Sequence, residues 1–114
     1  MNIASNLAIL ANIYHTSGDT NRALDMATRG LGILERCVPD DSPALAALLN
    51  NVATMQVAVG LLTEARTSFD RALDICKKSL PEGHPKRIAM ENNIQRIIEM
   101  EQLQEEEIEE KTNL

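Results

Sequence analysis

Residues 43–60 read PALAALLNNVATMQVAVG, and a shift of the chain by 42 positions places residues 1–18, MNIASNLAILANIYHTSG, beneath them. The two segments align without a gap, and both end in glycine, Gly18 and Gly60. A fixed period of this length is typical of proteins built from repeated supersecondary units. The sequence therefore predicts a stack of similar units.

Each period carries the pattern of two helices. From Leu45 to Val59 the apolar residues recur at three- and four-residue spacing, which indicates a helix. Gly60 ends this helix, because glycine adopts the left-handed conformation common after a helix C-terminus. Pro43 stands at a first helical position, as Pro85 does one period later. The pattern predicts five helices and no strand, at about 3–17, 20–37, 43–59, 62–79 and 85–110.

Hydroxyl side chains and two glycines add local expectations. Ser42, Thr20 and Thr63 are placed to act as N-caps, since their oxygens can accept hydrogen bonds from the first amides of a helix. Gly30 and Gly32 lie inside the second helix, where each costs about 1 kcal/mol relative to alanine. A close approach of a neighbouring helix is the favoured explanation, and a hinge is the alternative.

The predicted connections after the first and third helices are only a few residues long, so each helix pair must fold as an antiparallel hairpin. Stacked hairpins make an all-α fold, a right-handed α-solenoid whose concave face is lined by the first helix of each pair. Small residues recur at fixed places in the two hairpins, as Ala11 and Ala23 show in the first and Ala53 and Ala65 in the second. This arrangement resembles the tetratricopeptide repeat.

The 42-residue period restricts the resemblance to a smaller group of proteins. The 42-residue spacing, the segment Asn50-Asn51-Val52-Ala53 and the turn Gly83-His84-Pro85 are similar to the repeats of the kinesin light chain and its relatives. The resemblance covers residues 3 to about 98 and divides residues 1–98 into repeats 1–42 and 43–84 and a further, capping helix from residue 85. Residues 99–114 are expected to form an acidic helical extension or tail.

The first residue, Met1, aligns with Pro43 and therefore falls at a repeat boundary. No polar capping helix precedes it in this sequence, so the apolar face of Ile3 and Leu7 is expected to be exposed. Either the sequence is a piece of a longer repeat array, or a partner or a second copy of the chain covers this face. Homo-oligomerisation and incorporation into a larger complex are both hypotheses.

Charge and composition exclude several classes of partner. Residues 1–98 hold ten acidic and ten basic residues, and residues 99–114 hold seven glutamates and Lys111. There is no basic stripe for nucleic acid or anionic lipid, and Tyr14 and Phe69 are too few aromatics for a stacking platform. No apolar run approaches the roughly 20 residues that span a bilayer, so membrane insertion is not expected. Two cysteines fit reduced thiols in the cytoplasm.

No motif for catalysis or for a cofactor is present. The sequence lacks a glycine-rich phosphate loop, a nucleophile elbow and paired carboxylates in an apolar setting. His15 and His84 have no second ligand at metal-binding spacing, and Cys76 continues an apolar stripe, which indicates a small buried side chain. The chain is not expected to be an enzyme or to need a cofactor or metal.

The resemblance places ligand binding on the concave face, where an amide can donate and accept hydrogen bonds with an extended peptide. The first helices direct seven candidate side chains there: Asn12, His15, Asn50, Asn51, Thr54, Asn92 and Arg96. Alternatively, the paired asparagines join adjacent helices to each other. The expected function is a non-catalytic interaction module for a peptide of a partner protein. The alternative is a structural subunit held in a larger complex by its helix ends and acidic tail.

Overall fold

Five α-helices make up the chain. The structure is a computed structural model that describes the backbone of residues 3–113 and the side chains of residues 6–113. The helices are α1 (Ile3–Thr16), α2 (Thr20–Cys37), α3 (Pro43–Ala58), α4 (Leu62–Ser79) and α5 (Pro85–Thr112). No strand occurs between residues 3 and 113, so the predicted helices and the all-α class are confirmed. Of the helices described, none combines the length and hydropathy needed to cross a membrane.

The turns between α1 and α2 and between α3 and α4 are copies of each other. Gly18 and Gly60 have φ angles of +92° and +85°, in the left-handed region that favours glycine. The amide after each glycine donates to a carbonyl five residues earlier, which satisfies a free acceptor at the helix end. These bonds run from Asp19 to Tyr14 (2.9 Å) and from Leu61 to Gln56 (2.8 Å). Both hairpins therefore turn at the predicted glycine.

The N-caps of the second helices differ from the sequence prediction. Asp19 caps α2, since its Oδ1 accepts a hydrogen bond from the amide of Arg22 at 3.3 Å. Thr20 is instead the first residue of that helix. In α4 the cap position belongs to Leu61, which offers no side-chain hydrogen bond, and Thr63 lies inside the helix. The predicted caps Thr20 and Thr63 are thus wrong by one or two positions.

Proline begins the first helices of the later repeats, as expected. Pro43 and Pro85 both stand in the first helical turn. Ser42 occupies the cap position of α3, but its hydroxyl makes no capping hydrogen bond. His84 does cap α5, because its Nδ1 accepts from the amide of Lys86 at 3.1 Å. An imidazole therefore fills the role that a hydroxyl was expected to have one repeat earlier.

Small side chains let the helices of each hairpin approach closely. Ala11, Ala23, Ala53, Ala65 and Ala72 are completely buried. Larger side chains fill the space between successive hairpins. The largest fully buried side chains are Leu45, Leu49, Met55 and Ile97.

At one position of the repeat, different residues make the contact between the two helices of the hairpin. The guanidinium carbon of Arg22 lies 5.3 Å from the centre of the Tyr14 ring, which joins α1 to α2. One period later Gln56 replaces the tyrosine and accepts a hydrogen bond from the hydroxyl of Ser68 at 2.8 Å. The contact within the hairpin is kept although its chemistry changes from cation–π to hydrogen bonding.

Helix α5 is longer than the other helices and continues through residue 98 without a break. Its buried residues are Met90 and Ile97. Further along, Glu101 lies 3.9 Å from Arg66 of α4, and beyond that pair the side chains of Leu103 and Ile108 are 60% and 64% exposed. The acidic segment is thus the solvated end of α5, helical to Thr112.

Two expectations about exposed and crowded positions turn out differently. A Cβ atom placed on Gly32 would meet no atom within 4 Å, so the proposed close approach at this residue is wrong. Gly30, by contrast, is buried. Leu7 is half-buried, whereas Met1 and the side chain of Ile3 lie outside the described residues. The exposed apolar side chains of α1 are instead Ile9, Leu10 and Ile13.

Candidate functional site

A groove of about 480 Å³ runs between α3 and α5. The two helices are first helices of successive repeats and form its walls, and the C-terminal turns of α4 form its floor. We call this the α3–α5 groove. It is lined by Pro43, Ala46, Ala47, Asn50, Asn51, Ile75, Cys76, Ser79, Leu80, Lys86, Ala89, Met90 and Asn93.

Three asparagines surround the groove. Asn50 and Asn51 come from α3 and Asn93 from α5, and all three side chains are half-buried. Among the side chains that the structure describes, no hydrogen bond uses any of these three amides. The amides therefore face the groove with donors and acceptors that a ligand can use. In the alternative, paired asparagines join α3 to α5. Among the side chains of residues 6–113, no hydrogen bond between asparagines links these two helices.

The floor of the groove, together with the adjacent Met90 of α5, is apolar. Ile75, Cys76 and Met90 are all less than a tenth exposed, and the Cys76 Sγ lies 3.6 Å from the Met90 Sδ. Burial raises the pKa of the Cys76 thiol above its ordinary value of 9.0, against the opposing effect of Lys86 and Arg87. The thiol is therefore neutral at physiological pH and acts as part of the apolar surface.

A smaller pocket of about 210 Å³ continues the groove toward the other end of α3. We call it the Thr54 pocket. It shares Asn93 with the α3–α5 groove and adds Arg96 of α5. Its lining is Thr54, Val57, Phe69, Asn93, Arg96, Ile97 and Met100. From Pro43 to Val57 the joined surface follows α3 for about 21 Å, given a rise of about 1.5 Å per residue.

The charged groups on this joined surface are all basic. Lys86 lies at the end where α3 and α5 begin, and Arg96 lies in the Thr54 pocket. Neither cation forms an ion pair within the part of the chain that the structure describes. No aspartate or glutamate lines either cavity. The surface therefore favours anionic groups at two points about 15 Å apart along α5.

The structure brings together four of the seven residues that the sequence proposed. Asn50 and Asn51 line the α3–α5 groove, and Thr54 and Arg96 line the Thr54 pocket. These four side chains come from both walls of one continuous surface.

The remaining three lie elsewhere. Asn12 lines a separate open depression on α1, together with Ile9 and Ile13. The His15 Nδ1 lies 3.3 Å from the Thr20 hydroxyl, at the turn between α1 and α2. Asn92 is exposed outside both cavities, although its neighbour Asn93 lines both.

Sequence reasoning did not include Lys86, Ala47 or Met90 among the site residues, although all three line the groove. A helical spacing could have found them. Groove residues on α5 stand at 86, 89, 90 and 93, and those on α3 at 43, 46, 47 and 50, which is one face of each helix. No group of three or more metal-binding side chains occurs among the described residues.

Solved structures contain the same arrangement of helices. A crystal structure of nearly identical TPR-like repeats, from a Podosopora anserina protein assigned as a kinesin light chain, superimposes with a TM-score of 0.79. It is 22% identical and matches 82% of this chain, which spans 44% of the crystallised chain. A single-substitution variant of the same protein gives a TM-score of 0.78 with the same identity and coverage. The likeness establishes the fold.

The sequence of the second hairpin matches a family model. Residues 45–86 match the family described as Tetratricopeptide repeat. This segment is similar to a tetratricopeptide repeat, and the chain has the all-α fold of the TPR-like structures. The match begins in α3 and ends at the start of α5, so this tetratricopeptide repeat is the one that builds one wall and the floor of the α3–α5 groove. No curated protein matches the chain.

Proposed function

We propose that the chain is a non-catalytic, cytoplasmic interaction module that binds an extended peptide segment of a partner protein in the α3–α5 groove. Tetratricopeptide repeats are in general protein–protein interaction modules. The observation that carries the finer proposal is the set of three half-buried asparagine amides around an apolar floor. Amides at these places can bind the peptide backbone, while the floor accepts an apolar side chain.

The dimensions of the surface define the class of peptide. A path of about 21 Å accommodates about six residues of extended chain at about 3.3 Å each. Lys86 and Arg96 stand about 15 Å apart along α5, which corresponds to about five extended residues. The preferred ligand is therefore a short segment with an apolar centre and an acidic residue near each end.

The test is selection of peptides from a random library with the purified chain, followed by affinity measurements on variants. We expect the selected peptides to carry acidic residues flanking an apolar one. In the double variant Asn51→Ala, Asn93→Ala the affinity should fall about 30-fold, because each lost amide interaction is worth about 1 kcal/mol. Circular dichroism and thermal melting confirm that the variant is folded.

A matched control lies next to the site. Asn92→Ala removes an exposed amide outside the groove and should leave the affinity unchanged within twofold. Equal binding by the double variant and the wild-type chain would contradict the proposal, because the peptides would then bind elsewhere. A loss caused by Asn92→Ala alone would show that the recognition surface lies on the outer side of α5.

A second candidate function is a structural subunit held in a larger complex by the end of α5. The exposure of Leu103 and Ile108 beside the terminal glutamates favours it. The same binding experiments separate the two functions. A partner that is lost with Leu103→Asn, Ile108→Asn and kept with the groove variant would support the structural subunit.

A further inference from the structure

Ser79 places a hydroxyl group at the rim of the α3–α5 groove. It is the last residue of α4, it is exposed, and it lines the groove together with Lys86 of α5. Its hydroxyl takes part in no hydrogen bond among the described side chains, whereas the hydroxyl of Ser68 on the same helix donates to Gln56 at 2.8 Å. The Ser79 hydroxyl is therefore accessible to a modifying enzyme.

The residues before Ser79 are basic. Lys77 and Lys78 directly precede it, and both are exposed. Ser79 is the only serine of the chain that directly follows a lysine, and Ser42, for comparison, follows two aspartates. Charge pattern is one of the features by which kinases distinguish their substrates, so a kinase with an acidic substrate surface would select Ser79.

The backbone at Ser79 can be presented to a kinase with little disruption of the fold. Helix α4 ends at Ser79, and Leu80 is already extended, with φ −118° and ψ 138°. Pro81 follows and cannot continue a helix. Because helix ends fray, only the last turn of α4 has to open for Ser79 to enter an active site.

We propose that Ser79 is a phosphorylation site through which a kinase that selects basic sequences controls the α3–α5 groove. In the reaction the Ser79 Oγ attacks the γ-phosphorus of ATP, and the hydroxyl proton passes to a base of the kinase. The Oγ–P bond forms as the bond from the γ-phosphorus to ADP breaks, and ADP leaves. The control of the groove rests on the function proposed for it above.

The phosphate would act on the ligand through its charge. Phosphoserine carries a charge of about −2 at pH 7. Because α4 runs antiparallel to α3 and α5, its last residue lies at the end of the groove where those two helices begin and where Lys86 stands. The ammonium group and the positive ends of the two helix dipoles attract an anion at this end. The phosphate would therefore replace the acidic residue of a bound peptide at Lys86, while Arg96 at the other end would keep its role.

The first experiment tests the modification itself. The folded chain is incubated with ATP and either cAMP-dependent protein kinase or protein kinase C, and peptide mass mapping locates the phosphate. We expect phosphate on Ser79 and none on Ser42, and Ser79→Ala should abolish the modification. In the double variant Lys77→Gln, Lys78→Gln the rate should fall about tenfold. No phosphate on Ser79 with either kinase, or an equal rate in the lysine variant, would overturn the proposal.

The second experiment tests the control of the groove. The ligand is a library-selected peptide with two acidic residues, and it is compared with two variants in which one or the other acid is replaced by its amide. Phosphorylation of Ser79 should lower the affinity for the parent peptide about tenfold, because an attraction to Lys86 is replaced by repulsion. The effect should vanish for one amide variant and remain for the other. Circular dichroism and thermal melting confirm that the phosphorylated chain is folded, and kinase treatment of Ser79→Ala should change no affinity.

The outcomes separate this regulatory role from the proposed function. Equal binding of the parent peptide before and after phosphorylation would overturn the regulatory role and leave the proposed function standing. An equal loss for all three peptides would also overturn it, because the phosphate would then act without regard to the charge of the ligand. If the unphosphorylated chain binds no such peptide, the proposed function itself fails and the regulatory role fails with it.

Discussion

Replacing Ile97 with alanine should weaken the attachment of α5 to the rest of the solenoid. Ile97 is 1% exposed and packs with Leu62, Ala65 and Phe69 of α4 and with Ala53 of α3. Within the described part of α5 it is one of two buried residues. The change removes three carbon atoms from a closely packed site and leaves a cavity that the fixed helices can only partly close.

The expected loss follows from the number of buried groups. Three methyl or methylene groups at about 0.8 kcal/mol each give about 2.4 kcal/mol, and the residual cavity raises this to about 3 kcal/mol. A chain of 114 residues has an unfolding entropy of about 240 cal/mol/K, at about 2.1 cal/mol/K per residue. The melting temperature should therefore fall by about 12 °C.

Urea denaturation and thermal melting followed by circular dichroism measure the loss, and amide hydrogen exchange locates it. Exchange should accelerate first in α5. Ile108→Ala is the control, since that side chain is 64% exposed and its loss should cost less than about 0.5 kcal/mol. A loss below 1 kcal/mol for Ile97→Ala, or one equal to the control, would refute the inference that this residue anchors α5.

Three further predictions concern two glycines, the reactivity of the thiols and the pH dependence of stability. Gly32→Ala should stabilise the chain by about 1 kcal/mol in urea denaturation, because the added methyl meets no atom and alanine favours the helix, whereas Gly18→Ala should destabilise it through its φ of +92°. Under native conditions a thiol reagent should modify the exposed Cys37 and leave the buried Cys76 unmodified until the chain unfolds. Burial raises the pKa of Cys76, so above pH 9.0 the unfolded chain loses this proton more readily than the folded chain does. The free energy of unfolding should therefore fall as the pH rises above 9.0, and Cys76→Ala should reduce that fall.

The helices and their order could be predicted from the sequence because the signals are local and repeated. Gly18 and Gly60 mark the hairpin turns, and Pro43 and Pro85 mark the first turns of α3 and α5. Few residue types can replace these glycines and prolines. Only glycine readily adopts the required φ, and proline in the first turn loses no hydrogen bond.

The positions of the caps and of the site residues depend on how the helices pack against each other. The residue pattern of one helix does not contain that information. Asp19 rather than Thr20 caps α2 because the helix begins two residues after Gly18, which leaves Asp19 at the cap position. Asn92 and Asn93 are adjacent in sequence, yet only Asn93 faces α3, because the rotation of α5 is fixed by the burial of Ile97. That rotation is a property of the packed pair of helices.

The length of α5 means that a small tilt of the helix would move the C-terminal acidic segment. From Ile97, where the helix is held, to Thr112 the axis extends about 23 Å at about 1.5 Å per residue. A tilt of α5 by about 10° about that point displaces its far end by about 4 Å. Because α5 also forms a wall of the α3–α5 groove, such a tilt about Ile97 would change the width of the groove and move the terminal glutamates together.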